Sequence, residues 1–314
     1  MSSSSPPPAE GVRVHWEQLP EAVKAAIEER IGGNVVQAAT QPGGFSPGLA
    51  SRVRTGNGRR CFVKAVSEQA NPDTPDLHRR EAEVVAAIPV EAPVPRLLWT
   101  YDHGGWVALG FEDVDGRTPA QPWRQEELRR VVDGLRRLQE ILTPSPIVST
   151  TAADGFTTVI NGWDELKRSK APLDDWSSRH IERLIDLEGK TPSLVAGQTL
   201  LNFDVRADNI LIAGDLVYFV DWPWARIGAP FVEWVALAPS VHMQGGPAPE
   251  ELMRMASLDA VDDGAINAVI ASITGFFLGH SRRPPPPGIP TVRAFQAAQG
   301  AIALEWLRDR TGWR

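Results

Sequence analysis

Asp204, Asn209 and Asp221 have the side-chain types and spacing that phosphate chemistry needs. They lie in Leu200-Leu201-Asn202-Phe203-Asp204-Val205-Arg206-Ala207-Asp208-Asn209-Ile210-Leu211-Ile212, which continues through Ala213-Gly214-Asp215 to Leu216-Val217-Tyr218-Phe219-Val220-Asp221. Two apolar runs flank a tight turn, so the segment reads as a β-hairpin. With the turn centred near residues 214–215, Asn209 and Asp221 stand opposite each other at its open end. An amide oxygen and a carboxylate side by side are the hard donors that a magnesium ion shared with phosphate oxygens requires. Asp204 sits on the loop leading into the hairpin, where a carboxylate can take a proton from a hydroxyl as its oxygen attacks phosphorus.

Phosphate groups also need a fixed cation. Lys64 lies in Arg60-Cys61-Phe62-Val63-Lys64-Ala65-Val66, a strand in which Phe62 and Val66 share its face. A lysine between two apolar neighbours needs an anionic partner, because an unpaired buried charge is costly. The following helix, expected over residues 76–88, offers Glu81 and Glu83. At 100° per residue Glu81 lies about 40° from Leu77, near Val84 and Ile88, whereas Glu83 lies at about 240°, so helical phase selects Glu81. Before the strand comes Gly43-Gly44-Phe45-Ser46-Pro47-Gly48, at the distance a phosphate-covering loop needs. It lacks a full G-x-G-x-x-G, but Ser46 could donate a hydrogen bond to a phosphate.

The elements that must position these residues fall into two groups. Leu19, Val23, Ile27 and Ile31 recur every four residues after Pro20 and predict a short amphipathic helix. Thr55-Gly56-Asn57-Gly58 is a turn between two strands, and residues 94–111 contain two more strands around Asp102-His103-Gly104-Gly105. After about residue 115 the pattern becomes helical: Leu128, Val131, Val132, Leu135, Leu138 and Leu142 keep helical spacing. Residues 176–189, 231–242, 249–278 and 291–311 read as helices too. The expected fold is α+β in two lobes, a β-rich N-lobe over 11–115 and a mainly helical C-lobe over 116–314. Residues 1–10, with Ser-Ser-Ser-Ser-Pro-Pro-Pro, read as a disordered leader.

These motifs together resemble the aminoglycoside phosphotransferase and choline kinase family, which has the protein-kinase-like fold. The resemblance runs from about residue 37 to 311 and is carried by Gly43-Gly44-Phe45-Ser46, Phe62-Val63-Lys64, Arg80-Glu81-Ala82-Glu83, Phe111-Glu112-Asp113-Val114-Asp115-Gly116, Asp204 to Asn209, and Val220-Asp221-Trp222. It implies that Gly44 and Ser46 cover the nucleotide phosphates, that Lys64 and Glu81 hold them, and that Glu112 to Val114 form a hinge whose backbone reads adenine. It also implies Asp204 as the catalytic base, with Asn209 and Asp221 binding Mg2+. The activity implied is transfer of the γ-phosphoryl group of ATP or GTP to a hydroxyl of a small molecule, such as an antibiotic, nucleoside, sugar or amino alcohol. A catalytically weak nucleotide-binding pseudokinase is the alternative. One departure stands out: the family has histidine two residues before the base, where this chain has Asn202. Asparagine can both donate and accept, so it can prop the loop in the same way.

Composition narrows the partners. The 314 residues carry 32 Lys and Arg against 39 Asp and Glu, a net charge of −7, which argues against an electrostatic nucleic-acid or membrane-surface binder. No apolar run approaches the roughly 18 residues a membrane span needs, and a cytoplasmic location is expected. The single cysteine, Cys61, excludes an internal disulfide framework and reads as a small buried hydrophobe facing away from Lys64. His15, His78, His103, His180, His242 and His280 show no metal-ligand spacing and read as surface or satisfied core positions. Residues 151–314 hold 15 basic and 20 acidic side chains and seven of the eleven tryptophans. That suits either a cationic acceptor or an aromatic-walled site for a less polar one.

Overall fold

Alternation along the early strands builds a sheet with two different faces. The computed structural model describes residues 6–45, 47–170 and 172–314; Ser46 and the first five residues of the expected leader therefore lie outside the described residues. Strands β1 (Val35–Thr40), β2 (Leu49–Thr55), β3 (Arg60–Ser67), β4 (Leu97–His103) and β5 (Trp106–Phe111) pair antiparallel in the order β1-β2-β3-β5-β4. On β3, Cys61, Val63 and Ala65 join Val23, Ile27 and Ile31 of helix α1 (Glu21–Ile31) in one buried cluster. Val66 joins Val84 and Val85 of α2 (Thr74–Ala87) in another, with Phe62 packed against it. Parity thus puts Lys64 on the α2 side and Cys61 on the α1 side. Burying the three α1 side chains, at about 1.5–3 kcal/mol each, fixes that helix to the sheet.

The rest is mainly helical. Helix α3 (Gln125–Ile141) is followed by α4 (Ala152–Thr158), α5 (Trp163–Arg168), α6 (Asp175–Arg179), α7 (Ile181–Leu194), α8 (Phe231–Met243), α9 (Pro249–Met255), α10 (Asp263–His280) and α11 (Val292–Thr311). Two short antiparallel pairs lie among them, β6 (Thr199–Leu201) with β9 (Arg226–Gly228) and β7 (Ile210–Ala213) with β8 (Leu216–Phe219). One hydrophobic cluster runs from Val107 and Leu109 of the sheet through Leu135 of α3 to Val235 of α8 and Val269 of α10. The helix expected over 176–189 is broken at His180 (φ −108°, ψ 14°). That expected over 249–278 is two helices, divided where Ser257 takes φ 56° and the Asp262 side chain caps α10 by accepting from the Ala265 N–H at 2.9 Å. No helix among the described residues is long and apolar enough to cross a membrane.

Two connections matter for the cleft. After β5 the chain runs through residues 112–117 to Arg117, which exchanges backbone hydrogen bonds with Ile212 of β7 (3.1 and 2.7 Å). At the other end, residues 10–14 form a strap. Glu10 and Arg13 make isolated parallel bridges with Gly44 and Gly48, and the Val14 N–H donates to the Gly48 carbonyl at 3.0 Å. On its far side the Val12 N–H donates to the Gly288 carbonyl at 2.7 Å, and Glu10 is bonded through both its N–H and its carbonyl to the Thr291 hydroxyl.

Candidate active site

The loop between β6 and β7 is shaped by a buried acid. Glu233 stands in the apolar run Phe231-Val232-Glu233-Trp234-Val235 of α8 and is only 2% exposed. Its Oε1 accepts from the Asn202 and Phe203 N–H groups at 2.5 and 3.1 Å. Burial pushes this carboxyl up to about 7, against the pull of the Gln139, Phe203 and Asn202 donors. Phe203 is thereby held at φ 68°, a left-handed conformation rare for an aromatic residue, which turns the chain into Asp204. Asn202 does the propping expected of it: its Oδ1 accepts from the Asp204 N–H (3.1 Å), and its Nδ2 donates to the Val220 and Asp221 carbonyls (3.3 and 3.0 Å).

Asp204 is held from two sides. Arg206 donates to its Oδ1 at 2.5 Å and also forks onto Asp208 at 3.1 and 2.9 Å. The Asn209 Nδ2 donates to the Asp204 carbonyl at 2.9 Å and to its Oδ2 at 3.4 Å. Burial raises the Asp204 carboxyl to about 7; Arg206 pulls it down, while Asp221 and Asp208 push it up. The hairpin register differs by one residue from the expected one. Ile210 pairs with Phe219, so Asn209 stands opposite Val220, whose N–H donates to the Asn209 carbonyl at 3.0 Å. Asp221 is the next residue, and its φ of 65° turns it out of the ladder.

Lys64 closes the far side of the cleft. Its Nζ lies 2.7 and 2.8 Å from the two Glu81 oxygens and 2.7 Å from Asp221 Oδ1. Of the two glutamates weighed, Glu81 is the one that meets Lys64 and is 2% exposed, while Glu83 faces solvent. Burial disfavours the Lys64 ammonium, but the fields of Asp221 and Glu81 outweigh it and raise its affinity for the proton. Burial likewise opposes ionisation of Asp221, and the Lys64 charge overcomes it, holding that carboxyl below its usual range. For Glu81 burial is the larger influence and raises it, opposed by Lys64.

Lys64, Glu81, Asn209 and Asp221 line one cleft of about 1150 Å³, counting its open mouth, together with Gly43, Gly44, Phe111, Glu112, Asp113 and Val114; Asp204 is not among the lining residues and is joined to them through Asn209 and Asn202. Glu112 turns its side chain to Arg96 (3.2 Å), and Asp113 is fixed by Arg52 and Arg60 (2.6 and 2.8 Å). The Val114 carbonyl accepts from Arg52 (3.1 Å) and Gly116 (2.9 Å), while its N–H finds no acceptor among the described residues. Asn209, Asp221 and Asp208 all line the cleft as hard oxygen donors. Among the described residues no group of three or more His, Cys, Asp or Glu is arranged to hold a metal. Two donors suffice for Mg2+ when phosphate oxygens and water complete its shell, so the donor set fits that ion.

Four participants escaped the sequence reading. Arg13 lines the cleft and donates to the Gly43 carbonyl; a single arginine in an unpatterned segment gives no signal. His78 also lines it, with Nδ1 against the Thr74 carbonyl at 3.1 Å, and burial followed by the Lys64 charge lowers it to about 3. Its place three residues before Glu81, on the same helical face, was the available clue. Glu233 was detectable as an acid in an apolar run, which demands partners. Arg206 stood in the motif itself, and its guanidinium lies 5.1 Å from the Phe45 ring and 5.9 Å from Phe295. Those two rings meet edge to face at 5.2 Å, so the tip of the glycine-rich loop rests on α11 beside Asp204.

The two-lobed arrangement, with a five-stranded antiparallel sheet above a helical lobe, is the protein-kinase-like fold. Its structural neighbours are small-molecule kinases. A thermostable mutant of aminoglycoside phosphotransferase APH(4)-Ia, solved as a ternary complex with AMP-PNP and hygromycin B, superposes with a TM-score of 0.66 at 15% identity, over 94% of this chain and 100% of that one. A choline/ethanolamine kinase family protein from Mesorhizobium loti gives 0.56 at 14% identity, over 87% and 88%. A putative fructosamine-3-kinase from Haemophilus somnus gives 0.56 at 13% identity, over 89% and 96%. No family model and no curated protein matches the chain.

Proposed function

We propose that this chain is a small-molecule kinase, moving the γ-phosphoryl group of ATP or GTP to a hydroxyl of an antibiotic, nucleoside, sugar or amino alcohol. The observation that carries the reading is the junction at Asp221: one carboxylate, 2.7 Å from the Lys64–Glu81 pair, shares a cleft with Asn209 and is tied through Asn202 to Asp204. Residues 11–115 would bind the nucleotide and 116–314 would carry catalysis and the acceptor. Glu112 to Val114 would meet the base, with the Val114 N–H as donor, and Lys64, Gly44 and Ser46 would hold phosphates.

Asp204 is the base in this reading. The acceptor oxygen forms a bond to the γ-phosphorus, the bond to the leaving β-phosphate oxygen breaks, and the hydroxyl proton passes to Asp204. Arg206 keeps that carboxylate oriented, and Glu233 and Asn202 fix the loop that carries it. Asn209 and Asp221 would hold Mg2+, which when bound neutralises charge developing on the phosphates. A nucleoside triphosphate donor would suit a cytoplasmic location.

The test is a phosphoryl-acceptor screen over those four classes with Mg–ATP and Mg–GTP, read by mass gain, followed by single-turnover assays of Asp204→Ala. Nucleotide affinity is expected to stay within about threefold while transfer falls by about 10²–10⁴, the usual share of a general base. Undiminished transfer would remove Asp204 from the chemistry.

A further inference from the structure

Cationic side chains from three separate elements line the cleft among the described residues: Arg13, Arg52 and Lys64. Arg52 is committed to Asp113, Asp115 and the Val114 carbonyl, at the connection that follows β5. Lys64 sits between Glu81 and Asp221. Arg13 comes from outside the sheet altogether, on the strap of residues 10–14, and enters the cleft over the glycine-rich loop. We infer that Arg13 is a polyphosphate-binding residue, a second cation that the strap delivers to the same end of the cleft as Lys64. The inference rests on the reading of the cleft as a nucleoside triphosphate site.

The Arg13 guanidinium donates to the Gly43 carbonyl, and the carboxylates that act on it are Asp221 and Asp208. Asp221 is also the Lys64 partner, so both cations face one carboxylate. A Cβ added at Gly44 would come within 3.0 Å of Arg13 Nη2, so glycine at this position leaves the guanidinium its place. The strap is held by hydrogen bonds to Gly48, Gly288 and Thr291, which fix the Arg13 backbone before any ligand arrives. Charge favours a second cation as well. Lys64 is shared between Glu81 and Asp221, and Arg206 between Asp204 and Asp208, while a triphosphate adds further negative charge. A guanidinium, with its planar fork of donors, matches phosphate oxygens in a way a second ammonium would not. Burial lowers the affinity of the guanidinium for its proton, and the fields of Asp221 and Asp208 offset this in part.

Calorimetric titration of the full-length chain and of Arg13→Ala and Arg13→Lys with Mg–AMP-PNP, Mg–ADP and adenosine tests this, with thermal melts as a check on folding. The expected result is an AMP-PNP affinity at least tenfold weaker in Arg13→Ala, adenosine affinity within twofold, and partial recovery in Arg13→Lys. Equal weakening of AMP-PNP and adenosine would make the strap a structural brace and overturn the inference, as would unchanged AMP-PNP binding. Failure of the wild-type chain to bind either nucleotide or adenosine would overturn the nucleotide reading itself, and the Arg13 role with it. Wild-type binding that Lys64→Ala abolishes and Arg13→Ala leaves intact would overturn the Arg13 role alone.

Discussion

Asn202 shows how much a single side chain can organise. Its amide reaches both the loop that carries Asp204, through the Asp204 N–H, and the strand end, through the Val220 and Asp221 carbonyls. Alanine there would leave these buried backbone groups without partners, at about 1–3 kcal/mol. Asn202→Ala is therefore expected to lower the free energy of unfolding by about that amount. It should also reduce kcat more than it changes nucleotide affinity; an unaltered kcat would show the loop to be held by Glu233 alone. At this scale the sequence was most legible where side chains act through period and spacing. Lys64 and Glu81 followed from strand parity and helical phase, and Asp204 to Asn209 from their separation. Arg13 and Glu233 were not legible, because neither belongs to a pattern: one is fixed by a contact between distant segments, the other by its place in an apolar helix.

Among the elements, the glycine-rich loop and the hairpin carry the most information. Gly48 takes φ 120°, and a Cβ there would come within 2.5 Å of the Ala65 carbonyl oxygen and 2.8 Å of Val66 Cγ1. Only glycine lets the loop cross β3 this closely. Gly48→Ala is expected to destabilise the chain by about 1–3 kcal/mol, the usual cost of overpacking. It should also weaken Mg–AMP-PNP binding by about tenfold through displacement of the loop; a variant with wild-type melting and affinity would mean the loop can move aside freely. The hairpin was visible from its apolar runs, but its register was not. A one-residue offset depends on how the turn closes, and Asp221 escapes the ladder through a positive φ that composition does not announce. Edge strand β1 was missed for a related reason: it is half-exposed along its length, so its side chains show no clean alternation.

For the molecule as a whole, the two-lobed plan could be read from the change in hydrophobic period near residue 115. The single core that joins sheet and helices could not, since it is built by contacts between segments far apart in sequence. Away from the cleft, Glu188 of α7 is buried and accepts from the Gly162 and Trp163 N–H groups at 2.8 and 3.2 Å. Burial raises it to about 7, above the roughly 4.3 of a glutamate in an unfolded chain. The folded state thus binds this proton more tightly, so the associated stability is complete below about pH 4.3 and is lost as pH rises through 7. Glu188→Gln keeps an acceptor oxygen and cannot titrate. Its stability relative to the wild type is expected to improve between pH 5 and pH 8 by about 2–3 kcal/mol in denaturant melts. A difference that does not change with pH would show that Glu188 titrates normally.

The strap has a further consequence for how the molecule opens. Glu10 and Thr291 are 281 residues apart, so their contact closes a loop that takes in almost the whole chain. Such a contact gains nothing until both lobes are already in place, which puts it late in folding and first in local unfolding. Backbone amides of Val12 and Val14 should therefore exchange with solvent deuterium faster than those of the central β2–β3 ladder, and independently of global unfolding. If the strap opens in this way, the rate at which it lifts would limit how quickly any molecule held beneath it in the cleft can leave.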